Sequence, residues 1–116
     1  MTTQPFRLTF GEHQFSSAAA AIRFFRDMLN KHAAGDVIDD PKDQAALQDL
    51  VAQREAAVPA KDRKIGVGID HFKVWWGVGA GFSTHCFWLG RKDKTEVDFS
   101  YIKAVRAVAR HTRDSA

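Results

Sequence analysis

Tryptophan and basic residues occur together in two segments of the chain, and this combination is suited to holding a nucleic acid. The first segment contains Lys73 and Trp75, and the second contains Trp88 and Arg91. Alternation along two paired strands would place both tryptophans on the uncovered face of a sheet, near the two cations. Proteins hold single-stranded nucleic acid by stacking bases on aromatic rings beside such cations. The alternative is that both tryptophans belong to the core, because a shift of one residue in register exchanges the two faces.

A second basic group lies near the C-terminus. Its members recur at spacings of three, four and three residues: Lys103, Arg106, Arg110 and Arg113. Such spacing lines one face of a helix, and a basic stripe of this kind can lie along phosphates. Two alternatives are a solvated face and stabilisation of the helix dipole by cations near the helix end. Basic residues at positions 61, 63, 64, 92 and 94 would extend the surface if their loops fold toward it.

The segment 65–68, Ile-Gly-Val-Gly, superficially resembles a phosphate-binding loop. It lacks the third glycine of a dinucleotide site and the Gly-Lys-Ser/Thr ending of a nucleotide-binding loop. Ile65, Val67 and Ile69 instead alternate with small or polar residues, which is typical of a strand. Glycines within a strand permit close packing of a neighbouring group. We therefore predict a strand here and no nucleotide site.

The remaining candidates for chemistry have no recognised spacing. They are His71, His85 and Cys86 for a metal site, and Asp70, Asp93 and Asp98 for a metal-assisted nuclease. A structural metal site needs paired ligands, and a nuclease needs carboxylates gathered at one point. A cysteine within a strand is usually a small apolar residue. The sequence therefore predicts a protein without catalytic residues, bound metal or small-molecule cofactor.

Length and composition indicate one globular domain. The chain has 116 residues, 45% of them hydrophobic, which is enough apolar material for a core without staples. Its single cysteine cannot form an internal disulfide, which fits a reducing compartment. No apolar run approaches the roughly 18 residues of a membrane span, and the first residues lack the order of a secretory signal. We expect a cytoplasmic protein that does not enter a membrane.

The net charge of +3 is unevenly distributed. Residues 1–60 hold six basic and eight acidic side chains, a net charge of −2, whereas residues 61–116 hold eleven basic and six acidic ones, a net charge of +5. A basic half of this kind is compatible with a polyanionic partner, although many solvated surfaces have the same balance.

The N-terminal half predicts a hairpin followed by two helices. Residues 7–10 and 13–15 flank a Gly-Glu turn. Ser16 or Ser17 then caps a helix that ends near Lys31. A second helix begins after its cap at position 40, with proline at its first position and an apolar stripe over residues 46–51. Residues 54–64 break this periodicity and are predicted to be an exposed connection.

The C-terminal half predicts three strands and a helix. The first strand runs from position 65 to 76 and changes phase near Asp70, where a bulge is expected. A turn at 77–81, a second strand at 82–91 and a shorter third strand through Val97 complete an antiparallel meander. Asp98 or Ser100 caps a last helix that runs from 101 toward Arg110, and residues 111–116 fray.

The predicted fold class is therefore α+β. A small antiparallel sheet has about three helices packed mainly on one of its faces, in one domain that covers residues 1–116 with an ordered core at about 6–110. The inward positions of all major elements are predicted to be buried together: Ile22, Phe25, Leu29, Leu47, Leu50, Ile69, Phe87, Phe99 and Val105.

Several short motifs, taken jointly and in order, resemble a known family. They are Lys64 to Ile69, Phe72-Lys73-Val74, Cys86-Phe87, Arg91-Lys92-Asp93 and Asp98 to Lys103. They are similar to the signature of the DCL family, named for "defective chloroplasts and leaves", and the resemblance covers about residues 6–106. The chain departs from the family's usual residues at His85 (arginine), Lys94 (glycine) and Ala104 (often cysteine).

The resemblance implies an α+β domain that is classed in bacteria as a domain of unknown function. It also implies links to RNA, because plant members are connected with plastid ribosomal RNA maturation and with the largest subunits of plant-specific RNA polymerases. The family offers no agreed catalytic residues. We expect a non-enzymatic bacterial module associated with RNA or another nucleic acid, in ribosomal RNA maturation or transcription. The alternative is a protein-interaction or adaptor module with a protein partner.

Overall fold

Three helices lie on one side of a small sheet in the computed structural model, which describes residues 7–77 and 85–114. In chain order the elements are β1 (Leu8–Phe10), β2 (His13–Phe15), α1 (Ala18–Asn30), α2 (Pro41–Ala57), a short 3-10 turn (Ala60–Asp62), β3 (Ile69–Trp76), β4 (His85–Arg91), β5 (Glu96–Phe99) and α3 (Tyr101–Asp114). The predicted α+β class is confirmed. No helix in the described ranges is long and apolar enough to cross a bilayer.

Local capping signals set the helix starts as predicted. Ser17 Oγ accepts a hydrogen bond from the backbone N–H of Ala20 at 3.1 Å and begins α1. Asp40 Oδ1 accepts from the N–H of Lys42 at 2.8 Å, and proline occupies the first position of α2. Ser100 caps α3 through the N–H of Lys103 at 3.1 Å. These side chains satisfy N–H groups that have no partner within the helix.

The antiparallel order β3-β4-β5 is confirmed, with the predicted irregularity between Ile69 and His71. A further segment, residues 35–38, pairs with the other edge of β3. Ile38 N–H donates to Phe72 O at 2.8 Å, and Val74 N–H donates to the carbonyl of residue 36 at 2.9 Å. The sheet thus presents four neighbouring backbone segments, one more than predicted.

The helices cover the face of the sheet from which Phe72, Val74, Phe87 and Leu89 project, and all four are fully buried. The predicted core residues are buried with two exceptions. Ile22 and Ile69 are only partly buried and pack at the margin of the core. Ile69 is the first residue of β3 and lies beside the register shift between Ile69 and His71.

Residues 65–68 are not a strand, which corrects the prediction. Gly66 and Gly68 have φ angles of 59° and 123°, in the region that favours glycine over residues with a side chain. The N–H of Gly68 donates to Ile65 O at 3.2 Å, so the segment turns before β3 begins, and Val67 is 63% exposed. The two glycines therefore allow a turn, and they do not pack within a strand as predicted.

Three predicted boundaries also change. α2 continues to Ala57, so residues 54–57 are helical and not an exposed connection. β5 reaches Phe99, two residues past the predicted end. α3 continues to Asp114, so residues 111–114 do not fray. The predicted turn at 77–81, the first residues of the predicted strand at 82–91 and positions 115–116 lie wholly or partly outside the described residues.

Candidate nucleic-acid interface

The sheet has a second face that the helices do not cover, and we call it the open face. Its side chains alternate with the buried ones along three strands: His71, Lys73, Trp75, Cys86, Trp88, Glu96 and Asp98. Lys73, Trp88 and Asp98 are direct neighbours across the strands, and Val37 adjoins Lys73 on the far edge. The predicted register, with Trp75 and Trp88 directed away from the helices, is therefore confirmed.

The two tryptophans of the open face differ in exposure and in hydrogen bonding. Trp75 is 44% exposed, with Cys86 directly opposite it on β4. Trp88 is half-buried, and its indole N–H donates to the carbonyl of Trp76 at 3.2 Å. Because Trp76 lies three positions further along β3 than the residue paired with Trp88, the indole of Trp88 extends along the sheet. Trp75 offers an accessible ring, and Trp88 offers a fixed one beside it.

Trp76 is almost as exposed as Trp75, at 43%, but has the parity of the buried residues of β3. It was predicted to face the helices, and it projects from that side at the very end of the strand. Its ring lies against His85, with centroids 4.5 Å apart. Two adjacent tryptophans of equal exposure therefore project from opposite faces of one strand.

Most charges on the open face are compensated. Lys73 Nζ forms an ion pair with Glu96 at 2.5 Å, and His71 Nδ1 lies 2.8 Å from Asp70 Oδ2. The His71 ring also covers Gly90, where any side chain would collide with it. The open face is thus aromatic without being strongly basic.

Arg91 does not join the tryptophans, contrary to the prediction. Its Nε donates to Lys64 O at 2.7 Å, and its Nη1 donates to Thr95 Oγ1 at 3.1 Å. It has the same parity along β4 as the buried residues Phe87 and Leu89. The guanidinium therefore ties the turn before β3 to the β4–β5 turn.

The basic stripe of α3 is exposed but belongs to the helix layer. Lys103, Arg106 and Arg110 all lie on its solvent side, opposite a buried side that consists of Ala104, Val105, Val108 and Ala109. Arg110 lines a cleft with Ala57 and Pro59 at the end of α2. The stripe thus leads away from the open face, and only Lys103 is near the sheet. A phosphate-binding role for the stripe stays a prediction.

Lys103 shares a cleft with Lys64, one of the loop residues predicted to extend the basic surface if their loops fold toward it, and with Arg54, which was not among the predicted site residues. The break in periodicity predicts that Arg54 lies in an exposed connection. In the structure Arg54 is part of α2, and it follows Leu50 by four residues and Val51 by three, so it continues the buried side of the helix. Its side chain is only 14% exposed. Its spacing of three residues from Val51 is the sequence signal that predicts a partly buried position for Arg54.

The candidates for catalysis remain dispersed. His71 pairs with Gly90 and His85 pairs with Trp76, so the two histidines lie toward opposite ends of β3 and β4. Within residues 7–77 and 85–114, no three His, Cys, Asp or Glu side chains are grouped to hold a metal ion. Asp93 accepts from the N–H of Thr95 at 3.1 Å, as predicted for a turn residue, and bonds from Thr95 lower the pKa of this carboxyl.

Cys86 is a half-buried thiol on the open face. Burial and the nearby carboxylate of Asp98 raise the pKa of Cys86 above the ordinary thiol value, although contact with Trp88 opposes this shift. The thiol is therefore predominantly protonated near neutral pH and a weak nucleophile.

Comparisons with known proteins identify relatives of this chain. The family described as "Protein of unknown function (DUF3223)" matches residues 26–105. "Protein DCL, chloroplastic" from Solanum lycopersicum is 34% identical over 92 residues, which are 77% of this chain and 38% of that protein. A solution NMR structure of an uncharacterized protein from Rhodospirillum rubrum is similar, with a TM-score of 0.69, 33% identity and 89% of each chain covered. This chain thus spans well under half the length of the tomato protein.

Proposed function

The chain belongs to the DCL family of proteins of unknown function (DUF3223), and we propose that it is a non-enzymatic module that binds single-stranded nucleic acid, with RNA as the expected form. The observation that carries the proposal is the exposed indole of Trp75 beside the fixed indole of Trp88 on the open face. Open sheets with projecting aromatic residues stack unpaired bases in several RNA-binding folds. Stacking on an indole tolerates any base, so we expect weak sequence preference.

The positive charge that such a ligand needs lies around the open face and not on it. Lys73 is neutralised by Glu96, whereas Lys103 lies where β5 meets α3. The net charge of +5 in residues 61–116 attracts a polyanion over a longer distance. We propose that bases contact the sheet while phosphates contact its β5 edge.

The cellular setting is part of the same proposal. The family resemblance supports ribosomal RNA maturation or transcription as the process, and the single cysteine of the chain supports a reducing compartment, which we propose to be the cytoplasm of a bacterium. The tomato relative is a chloroplast protein by its name. This chain covers 38% of that protein, so the activity of the whole tomato protein is not transferred to it.

A protein-interaction module is the second candidate, and the compensated charge of the open face favours it. Val37 is 52% exposed and adjoins Lys73, whose charge is paired, and Trp75 lies on the same face. Exposed apolar side chains with little net charge are typical of protein-binding surfaces. In this case the partner would be a protein and RNA affinity would be absent.

A salt titration separates the two candidates. The affinity of the full chain for single-stranded RNA would be measured by fluorescence anisotropy between 50 and 300 mM KCl, with an unrelated protein of net charge +3 as control. Release of counterions from phosphates makes the logarithm of affinity fall linearly with the logarithm of salt concentration. We expect such a slope and an affinity above that of the control. Affinity equal to the control would favour the protein-interaction module.

A further inference from the structure

A cleft of about 320 Å³ opens at the edge of the sheet where β5 continues into α3. Three basic side chains from three separate elements line it: Arg54 from α2, Lys64 from the segment before β3, and Lys103 from α3. Asp98 and Ser100 supply the other polar groups of the lining. Convergence of three cations on one cleft needs explanation, because like charges repel each other at short range.

Two of the cations are held in place by neutral partners. Arg54 Nη1 donates to Asp62 O at 3.0 Å, and Lys64 Nζ donates to Asp98 O at 2.8 Å. Both acceptors are backbone carbonyls, so these bonds orient the charges without cancelling them. Lys103 Nζ makes no ion pair or hydrogen bond with the residues that the structure describes, and its side chain is exposed at the mouth of the cleft.

The nearby acids offset these charges only in part, because Arg54, Lys64 and Lys103 carry three positive charges and the carboxylates of Glu55 and Asp98 carry two negative ones. Glu55 lies 3.9 Å from Arg54, and its Oε1 accepts from the N–H groups of Lys64 at 2.7 Å and Ile65 at 3.2 Å, which fixes the carboxylate in place. Burial and the neighbouring guanidinium of Arg54 lower the pKa of Lys64 below the ordinary lysine value, although Asp98 and Glu55 oppose the shift. The five charged side chains in and beside the cleft thus leave one positive charge in excess, which an entering anion would offset.

We propose that this cleft binds a phosphate group. A guanidinium and two ammonium groups offer several charged donors to one tetrahedral anion, and charge-assisted hydrogen bonds of this kind are the stronger ones. The phosphate is either a free ion or part of a nucleic-acid backbone. In the second form the inference rests on the proposed function. The cleft and the open face share Asp98, which is the direct neighbour of Trp88, so a strand stacked on the sheet passes the cleft.

Titration with inorganic phosphate tests the site. Amide and Arg side-chain resonances of the full chain would be followed by ¹H–¹⁵N NMR at constant ionic strength. We expect saturable shifts at the amides of residues 101–103 and at Arg54 Nε. Lys103→Gln should weaken phosphate binding at least fivefold. Lys42→Gln removes the same charge from an exposed position near the start of α2, about three turns before Arg54, and should change the affinity less than twofold.

Two results would overturn the proposal. They are an absence of saturable shifts in the wild-type chain, or equal losses in Lys103→Gln and Lys42→Gln, which would show only general charge attraction. Lys103→Gln leaves the backbone N–H that Ser100 caps in place, so the fold should survive. Matching amide spectra of the two variants away from the substituted residues check this.

A second titration identifies the source of the phosphate. A single-stranded RNA oligonucleotide without terminal phosphates would be added to the wild-type chain and to Lys103→Gln. Shifts of the cleft resonances that weaken in the variant support a backbone phosphate, and a response to inorganic phosphate alone supports a free ion. Trp75→Ala should keep its response to inorganic phosphate even if RNA does not bind. Failure of the open face as a binding surface is therefore distinguishable from failure of the cleft.

Discussion

The open face and the outer side of α3 divide between them two properties that single-strand binding proteins usually combine. The open face holds Trp75 and Trp88 but pairs its lysine with Glu96. The outer side of α3 holds Arg106 and Arg110 and has no tryptophan. The side chains suited to stacking and those suited to attracting phosphates therefore lie in different parts of the molecule. Each can be removed without the other, which makes their contributions separable by single substitutions.

The largest expected effect is on the stability of the packing beneath the sheet. Phe87 is fully buried beneath the open face and packs against Phe99 and Tyr101, with ring centroids 5.9 and 6.0 Å apart. Phe87→Ala should lower the free energy of unfolding by about 3–5 kcal/mol, because it leaves a cavity between the sheet and α3. Urea denaturation followed by circular dichroism measures this. Arg106→Ala on the outer side of α3 should change the stability by less than about 0.5 kcal/mol. A loss below about 1 kcal/mol for Phe87→Ala would contradict the packing.

The next largest effect is on RNA affinity, and it distinguishes the two faces of β3. Trp75→Ala should weaken binding of single-stranded RNA about tenfold, since a stacked base contributes roughly 1–3 kcal/mol. Trp76→Ala removes the same side chain with nearly the same exposure from the opposite face, so it should change affinity less than twofold. Fluorescence anisotropy at fixed salt measures both. Equal losses of RNA affinity in the two variants would mean that an exposed indole contributes to binding on either face of β3. The open face would then have no special role.

A smaller effect is expected on the side of α3. Each phosphate contact removed from a single strand should reduce the magnitude of the salt slope by about 0.7. Arg106→Ala should therefore flatten the slope if the stripe contacts phosphates, while Trp75→Ala should lower affinity and leave the slope unchanged. A titration of both variants over the same range of KCl distinguishes these effects. An unchanged slope in Arg106→Ala would restrict phosphate contacts to the β5 edge.

The smallest effect uses Cys86 as a reporter on the open face. Burial and Asp98 raise the pKa of this thiol, so alkylation near neutral pH should be slower than that of a small-molecule thiol and should speed up as the pH rises toward the raised pKa. Single-stranded RNA should slow it further, because a base stacked between Trp75 and Trp88 covers the sulfur. Mass spectrometry of iodoacetamide-treated protein measures the rate. Alkylation unaffected by saturating RNA would place the ligand elsewhere.

Features that depend on near neighbours in the sequence were predictable. Ser17, Asp40 and Ser100 cap helices because each side chain reaches an N–H two or three residues ahead. The register of β3 followed from alternation alone, since Phe72 and Val74 could be buried only if Trp75 pointed the other way. The aromatic part of the candidate site was therefore visible in the sequence.

Features that depend on distant contacts were not predictable. Residues 35–38 carry no alternating pattern, and they become a strand-like edge only because β3 offers unpaired groups. Arg91 turns toward the carbonyl of Lys64, 27 positions earlier in the chain. The turn at Gly66 and Gly68 depends on positive φ angles, whereas the residue types equally suited a strand. Arg91 was therefore placed wrongly among the tryptophans, whereas Arg54 was missed although its helical spacing from Leu50 and Val51 was a local signal.

The most direct measurement of the central claim follows the indole N–H signals of the wild-type chain during titration with a short single-stranded RNA. The three tryptophans give three separate ¹H–¹⁵N cross-peaks, assigned by single Trp→Phe variants. We predict saturable shifts at Trp75 and Trp88 at the same RNA concentrations, with Trp76 nearly unchanged because it projects from the other side of the strand. Shifts confined to Trp76, or no shift at any indole while the RNA binds, would contradict recognition by the open face.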